Sequence, residues 1–111
     1  NYKKKLAKIY LENLDKKFIK PSEDKLCDNV YHIFPIRFEK RKRLMNYLSR
    51  KKISTLIHYP IPPYLQKYYQ SNVKEKYPIS DEIHKTILSL PISVIHSEKD
   101  IMKIVKVLNN F

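Results

Sequence analysis

The chain contains no glycine among its 111 residues, and this absence limits the turns that it can make. Glycine is the residue that adopts positive φ without steric cost, so tight two-residue hairpins are disfavoured here. A P-loop, a G-x-G-x-x-G turn and a glycine-built nucleophile elbow are excluded as well. The chain therefore lacks the standard devices for bringing backbone close to a phosphate or for exposing a strained serine.

Length and cysteine content narrow the class of protein further. With 111 residues and 42% hydrophobic content, we expect a single domain that buries one core. No run of about 18 apolar residues occurs, so neither a membrane span nor a membrane partner is expected. Cys27 is the only cysteine, which excludes an internal disulfide and favours a reducing compartment such as the cytoplasm. The four histidines do not form an H-E-x-x-H pair, so no metal site is expected.

The net charge of +12 has two interpretations. It could mark a polyanionic partner such as nucleic acid, in which case the chain would be a freestanding basic binding module. It could also be the solvated surface of a lysine-rich protein. The densest basic cluster, residues 37–43, falls where a strand is predicted to end and a helix to begin. This position favours the solvated surface and makes nucleic acid the weaker alternative.

Apolar residues at helical spacing predict four helices, over residues 2–17, 39–51 and 78–88 and from Ser97 to the end of the apolar stripe at Leu108. Ser97 and Asp100 form the S-x-x-D pattern that caps a helix start. Alternating or β-branched runs predict strands over residues 30–38, 53–58 and 90–95. Pro35 cannot donate to a ladder, so one side of the first strand should be unpaired there. The interleaved order predicts an α+β fold, with an antiparallel sheet of about three short strands packed against helices.

His58 and Tyr59 are the candidate site residues. They end the second predicted strand, just before a loop that Pro60, Pro62 and Pro63 stiffen. An imidazole and a phenol can both donate hydrogen bonds to anionic oxygens, but such a pair can equally cover a sheet edge. The residues alone leave both interpretations open. On the same reasoning His32, on the apolar face of its strand, is predicted to be a core histidine, and the tyrosines after the prolines are predicted to be interface residues.

Four segments in register resemble one enzyme family. They are VYHIFPIRF at 30–38, ISTLIHYPIPPYLQ at 53–66, PISDEIHKTILSLPI at 78–92 and SEKDI at 97–101. Together they are similar to the carboxy-terminal small domain of the DegT/DnrJ/StrS-type sugar aminotransferases, of the aspartate-aminotransferase fold type I. The opening helix resembles the helix that leads from the large domain into the small one. The resemblance implies a connecting helix at 1–18, a small-domain core at 30–111, and a large domain outside this chain.

The resemblance also implies a function. Enzymes of this family use pyridoxal phosphate to move an amino group from glutamate onto a nucleotide-linked keto-sugar, in amino-sugar and polysaccharide biosynthesis, and they act as homodimers. Their Schiff-base lysine lies in the large domain, so this fragment alone is expected to bind no cofactor and to be inactive. In the family, the residues after the second strand lie close to the substrate, which makes His58 and Tyr59 the expected substrate-binding residues. The HYPIPP form resembles members that act on 3-keto sugars.

The sequence departs from the family pattern at two places. The family often has glycine before the second strand, where Lys52 stands here. It often has a histidine or proline soon after LSLP, where Ser93 and Val94 stand. The turn geometry at Lys52 and the contacts of Ser93 are therefore left open by the sequence.

Overall fold

A computed structural model describes residues 2–24, 26–69 and 76–111. The described part contains α1 (Tyr2–Asn13), β1 (Phe34–Arg37), α2 (Arg41–Arg50), α3 (Pro78–Thr86), β2 (Ile87–Leu90) and α4 (Glu98–Asn109), with a short 3-10 turn at Pro63–Leu65. The four predicted helices and two of the three predicted strands are present in the described part, and the α+β fold class is confirmed. Among the described residues, no helix has the length and apolar character needed to cross a membrane.

The sheet is antiparallel, with β1 paired to β2 so that Phe34 lies opposite Leu90. Each strand is extended on its outer side by one isolated bridge. Ile19 pairs with Arg37 on the β1 side, and Leu56 pairs with Ser89 on the β2 side. The predicted second strand at 53–58 is thus reduced to the single bridge at Leu56, and the described residues form two strands rather than about three.

Pro35 lies at a position where a backbone N–H would not take part in the pairing of β1 with β2. The Ile19 amide donates to the Arg37 carbonyl at 3.1 Å, and the Arg37 amide donates to the Ile19 carbonyl at 2.8 Å. Alternate amides of a strand point to the same side, so the nitrogen of Pro35 also faces away from β2. The predicted unpaired side of the strand at Pro35 is confirmed.

The first strand is shorter than the predicted range 30–38, and His32 is not a core residue. Tyr31 has a left-handed backbone with φ of 49°, which breaks the alternation before β1 begins. Tyr31 is consequently buried against Phe34, with ring centroids 6.1 Å apart, while Val30 and His32 are exposed. The prediction of a core histidine at position 32 was wrong because it extended the period of β1 through this turn.

The end of α3 and the start of β2 lie two and three residues earlier than predicted. The helix ends at Thr86 and the strand covers Ile87–Leu90, whereas the sequence predicted a helix to 88 and a strand over 90–95. The Phe38 amide donates to the Thr86 carbonyl at 3.0 Å and fixes the start of the pairing. Beyond the strand, Val94 and Ile95 are exposed despite their apolar side chains.

One core joins α1, α2 and α4 to the inner face of the sheet, and α3 contributes no buried side chain to it. Tyr10 of α1 is fully buried, stacks on Phe34 at 4.7 Å between ring centroids, and donates a hydrogen bond to the Pro91 carbonyl at 2.8 Å. Burial raises the pKa of Tyr10 above its ordinary value. The other fully buried large side chains come from α1, α2, both strands, α4 and the segment between α1 and β1: Leu6, Phe18, Phe34, Ile36, Leu44, Leu48, Leu88, Ile101 and Leu108.

Lys52 adopts the backbone geometry that glycine usually supplies. Its φ is 59°; its amide donates to the Ser49 carbonyl and the Ile53 amide donates to the Leu48 carbonyl, both at 2.9 Å. These two bonds form a Schellman motif that ends α2, with Lys52 at the left-handed position. The turn is therefore kept although the residue is not glycine.

The start of α4 is capped as the sequence predicts. The Asp100 amide donates to the Ser97 hydroxyl oxygen, and the Ser97 amide donates to the Asp100 carboxylate at 3.1 Å. A further hydrogen bond from the Ser97 hydroxyl to the carboxylate is the main reason that the pKa of Asp100 is lowered. The capping box is confirmed.

Candidate functional site

A cavity of about 650 Å³ lies between the segment that follows α2, the end of β2 and α4. It is the natural candidate for a binding site because it joins polar side chains to an apolar floor. The residues that line it are His32, Ile33, Lys51, Lys52, Ile53, Ser54, Thr55, Leu56, His58, Ser89, Leu90, Pro91, Ile92, His96, Asp100, Lys103, Ile104 and Val107.

His58 lines this cavity and is held by β2. Its Nδ1 atom lies 2.8 Å from the hydroxyl oxygen of Ser89. The Ser89 amide also donates to the Leu56 carbonyl at 2.8 Å, and the Leu56 amide donates back to Ser89 at 3.3 Å. The segment that carries His58 is thus attached to Ser89 through both backbone and side chain.

Tyr59 is more exposed than the half-buried His58. Its side chain is 78% exposed, and its ring centroid lies 6.5 Å from that of His58. The backbone at Tyr59 is left-handed, with φ of 61°, a conformation that costs a residue with a Cβ about 1–2 kcal/mol. The two candidate site residues are adjacent in sequence but differ in exposure. His58 lines the cavity, and Tyr59 is not among the described residues that line it.

The proline loop after Tyr59 is fastened to α3. The phenol of Tyr64 donates a hydrogen bond to the Asp81 carboxylate, and the rings of Tyr64 and Tyr77 have centroids 4.8 Å apart. Tyr68 and Tyr69 form an edge-on pair at 5.1 Å, and both are exposed. Their exposure leaves the predicted interface role as a prediction.

The rim of the cavity carries several basic groups. Lys51, Lys52 and Lys103 lie at its edge and are exposed. His96 also lines the cavity, and its Nδ1 atom is 2.9 Å from the Ser93 hydroxyl oxygen. This contact answers the question that the sequence left open for Ser93. The arrangement suits a ligand with anionic oxygens.

The basic cluster at 37–43 is partly committed to holding the fold. Arg37, at the end of β1, forms an ion pair with Glu82 of α3 at 3.2 Å. Arg41, at the start of α2, donates to the carbonyls of His84 and Ile87 near the end of α3. These contacts explain two of the cations by internal structure and weaken the case for a nucleic-acid surface.

Across the described ranges, no group of three or more His, Cys, Asp or Glu side chains could hold a metal ion.

Two residues at the cavity, Ser89 and His96, were missed by reasoning from sequence. Ser89 is 4% exposed and is the one buried polar side chain among the described residues. A serine inside the apolar run ILSL was a signal, because a buried hydroxyl requires a hydrogen-bond partner. No local pattern in the sequence connects His96 to the cavity. His32, predicted to be in the core, also lines the cavity.

Comparisons with known proteins agree with this fold. A model of the DegT/DnrJ/EryC1/StrS aminotransferase family matches residues 1–109. The chain is 38% identical over 112 aligned positions to dTDP-3-amino-3,6-dideoxy-alpha-D-galactopyranose transaminase of Aneurinibacillus thermoaerophilus, covering 98% of this chain and 30% of that protein. It is 36% identical over 67 positions to dTDP-3-amino-3,4,6-trideoxy-alpha-D-glucose transaminase of Streptomyces venezuelae, covering 59% of this chain and 18% of that protein.

A solved structure gives the same result. The crystal structure of S. venezuelae DesV in complex with a ketimine intermediate superposes with a TM-score of 0.91 at 27% identity, covering 97% of this chain and 30% of DesV. The chain therefore corresponds to about a third of the length of the proteins that it matches.

Proposed function

Because the chain belongs to the DegT/DnrJ/EryC1/StrS aminotransferase family, we propose that it forms the small domain of a pyridoxal-phosphate-dependent sugar aminotransferase. The complete enzyme transfers an amino group from glutamate to a keto-sugar linked to a nucleotide. The observation that carries this proposal is the identity of 38% to a dTDP-amino-sugar transaminase over nearly the whole chain. We favour this function over a freestanding nucleic-acid-binding module, for which no comparable observation exists.

The substrate that we favour is a 3-keto-deoxyhexose. Both relatives described above are named for products with the amino group on the third carbon. The HYPIPP segment at 58–63 supports the same choice through its resemblance to members that act on 3-keto sugars. A diphosphate-linked sugar also presents the anionic oxygens that basic groups at the cavity rim would attract.

His58 and Tyr59 are assigned to the substrate side of the site. His58 faces the cavity with its Nδ1 atom engaged by Ser89, so Nε2 is the ring atom that it presents to a ligand. Tyr59 presents its phenol from a stiff segment, because Pro60 follows it and fixes the backbone on that side. Both side chains can donate to oxygens of the sugar nucleotide at low entropic cost.

The cofactor is assigned to protein outside these residues. Pyridoxal phosphate is held through an imine to a lysine and through a charged partner for its ring nitrogen. The lysines at the cavity, Lys51, Lys52 and Lys103, are exposed, and the Asp100 carboxylate accepts hydrogen bonds from Ser97. These residues do not fit the cofactor. The proposal accordingly includes an imine lysine in a large domain and a fragment that is inactive alone.

Three further parts of the proposal rest on the resemblance. They are a homodimer, a cytoplasmic location, and the division of the chain into a connecting helix at 1–18 and a core at 30–111. The segment 1–18 is closely tied to the core, since Tyr10 donates to the Pro91 carbonyl and Asn109 of α4 donates to the Asn13 carbonyl of α1. Size-exclusion chromatography with light scattering tests the dimer, and cell fractionation tests the location.

Amino transfer by the complete protein tests the function. The enzyme is supplied with pyridoxal phosphate, L-glutamate and a dTDP-linked 3-keto-6-deoxyhexose, and 2-oxoglutarate and the amino sugar are measured. We expect both products in equal amounts. The 4-keto isomer should react at least about tenfold more slowly in kcat/KM, a discrimination that misplaced hydrogen bonds can supply.

The His58→Ala variant tests the site. It should raise KM for the keto-sugar while the absorbance of the bound cofactor stays as in the wild type. Unchanged KM and kcat would contradict the assignment of His58 to the substrate site. Failure of every keto-sugar to accept an amino group would contradict the proposed function. Salt-sensitive retention of unrelated RNA by an enzyme without transaminase activity would instead favour the nucleic-acid alternative.

A further inference from the structure

We infer that Ser89 is a positioning residue that sets the orientation of the His58 imidazole toward the substrate. The inference rests on the proposed function, because it concerns how His58 is presented to the sugar nucleotide. Spacing in the sequence does not connect Ser89 to His58, since the two residues lie 31 positions apart.

The first observation is the burial of a hydroxyl where the strand is otherwise apolar. Ser89 is 4% exposed, and its neighbours Leu88 and Leu90 belong to the core. A valine or isoleucine would suit a strand at such a position better than serine does. A buried hydroxyl loses its hydration and is tolerated when a protein group replaces the water. Here the group is the Nδ1 atom of His58 at 2.8 Å.

The second observation is that Ser89 controls the backbone beneath His58 as well. Both hydrogen bonds of the bridge between Leu56 and Ser89 are formed. This bridge fixes the register of the segment at Leu56 against β2. The side-chain bond then fixes the imidazole ring of His58, two residues after Leu56. β2 is a paired strand of the core. Side chains supported from such a rigid element hold their geometry more closely than side chains on an unsupported loop.

The third observation concerns which ring atom is available. Ser89 bonds to Nδ1, which leaves Nε2 as the ring nitrogen available to a ligand in the cavity that both residues line. When the serine hydroxyl donates to Nδ1, the ring proton is on Nε2 and can be donated to an oxygen of the substrate. The hydroxyl thus fixes the orientation of the ring, and in the tautomer with an unprotonated Nδ1 it leaves an N–H on Nε2 for an anionic or hydroxyl-rich ligand.

The experiment uses the complete enzyme and steady-state kinetics with the keto-sugar. Ser89→Ala should raise KM about five- to tenfold, the loss expected for one hydrogen bond to a positioned group, with kcat within about twofold of wild type. Ser89→Cys keeps the volume of the side chain but is a poor hydrogen-bond donor, so it should raise KM similarly even if the alanine variant folds badly. Ser89→Thr retains the hydroxyl and should restore KM to near the wild-type value.

Two controls separate positioning from a general effect on structure. Ser49→Ala removes an exposed hydroxyl from α2, away from the cavity lining, and should leave KM unchanged. In the His58→Ala background, adding Ser89→Ala should produce no further rise in KM, because the group that Ser89 orients is already gone.

The outcomes distinguish this inference from the proposed function. If His58→Ala raises KM while Ser89→Ala and Ser89→Cys do not, the positioning role is wrong and the proposed function stands. If the effects of His58→Ala and Ser89→Ala multiply in the double variant, Ser89 acts independently of His58 and the inference is also wrong. If His58→Ala leaves KM unchanged, the assignment of His58 to the substrate fails, and the inference fails with it.

Discussion

The phenol of Tyr64 is hydrogen-bonded to the carboxylate of Asp81, 17 residues further along the chain. This bond joins the proline loop to the first turn of α3, and the packing of Tyr64 on the Tyr77 ring reinforces it. The loop begins directly after Tyr59, so the contact limits how far the candidate site segment can move. A loop without regular pairing is thereby held at one point by a side chain.

Loss of this bond should loosen the loop without unfolding the domain. In Tyr64→Phe the ring remains but the hydroxyl is gone, so we expect faster trypsin cleavage after Lys67, which is exposed in the same loop. Cleavage at Lys67 should accelerate about threefold or more, as for a lost hydrogen bond of ordinary strength. The matched control is Tyr68→Phe, whose side chain is 83% exposed. Equal cleavage rates in the two variants would show that the Tyr64 bond does not restrain the loop.

The same bond predicts a dependence on alkaline pH. The hydrogen bond to Asp81 is the main reason that the pKa of Tyr64 is raised above its ordinary value of 10.0. A group with a folded-state pKa above its unfolded value stabilises the fold below the unfolded pKa, and this stabilisation is lost as the pH rises through the folded pKa. The difference in melting temperature between wild type and Tyr64→Phe should be constant from about pH 7 to 9 and shrink above about pH 10. A difference that grows above that pH would contradict the assignment.

Lys52 offers a test of backbone strain in a chain without glycine. Its φ of 59° places a side chain where glycine is favoured, so Lys52→Gly should raise the free energy of unfolding of the chain by about 1 kcal/mol. The measurement is urea-induced unfolding followed by circular dichroism. Lys51→Gly is the control, because it removes an equal charge from a residue whose φ of −89° is not strained. It should give no gain, and a similar gain in both variants would indicate charge rather than strain.

Local signals in the sequence predicted local structure well. The capping box at Ser97 and the edge position of Pro35 follow from side-chain chemistry within a few residues, and both are present in the structure. The end of α3 could not be placed, because the apolar residues Ile87 and Leu88 fit a helical stripe and a strand equally. The Phe38 amide, which pairs with the Thr86 carbonyl from a distant part of the chain, decides between them.

The residues of the candidate site show the same contrast between local signals and contacts over long sequence distances. His58 was found because it stands beside prolines in a segment that resembles a known family. Ser89 was not found, because its relation to His58 depends on the register that the Leu56 bridge sets between segments far apart in sequence. Register is a property of the assembled sheet, and the alternation of one strand does not contain it.

The place of α1 in the domain can be tested through its two hydrogen-bonded tyrosines. Tyr10 and Tyr2 each donate from α1 to a carbonyl after β2, to Pro91 at 2.8 Å and to His96 at 2.9 Å. Tyr10 is fully buried whereas Tyr2 is 40% exposed. Tyr10→Phe leaves the Pro91 carbonyl without its donor, so it should lower the free energy of unfolding by about 1–2 kcal/mol, and Tyr2→Phe by less than about 0.5 kcal/mol. Urea-induced unfolding of the chain measures both, and equal losses would mean that the buried bond of Tyr10 contributes no more to stability than the exposed bond of Tyr2.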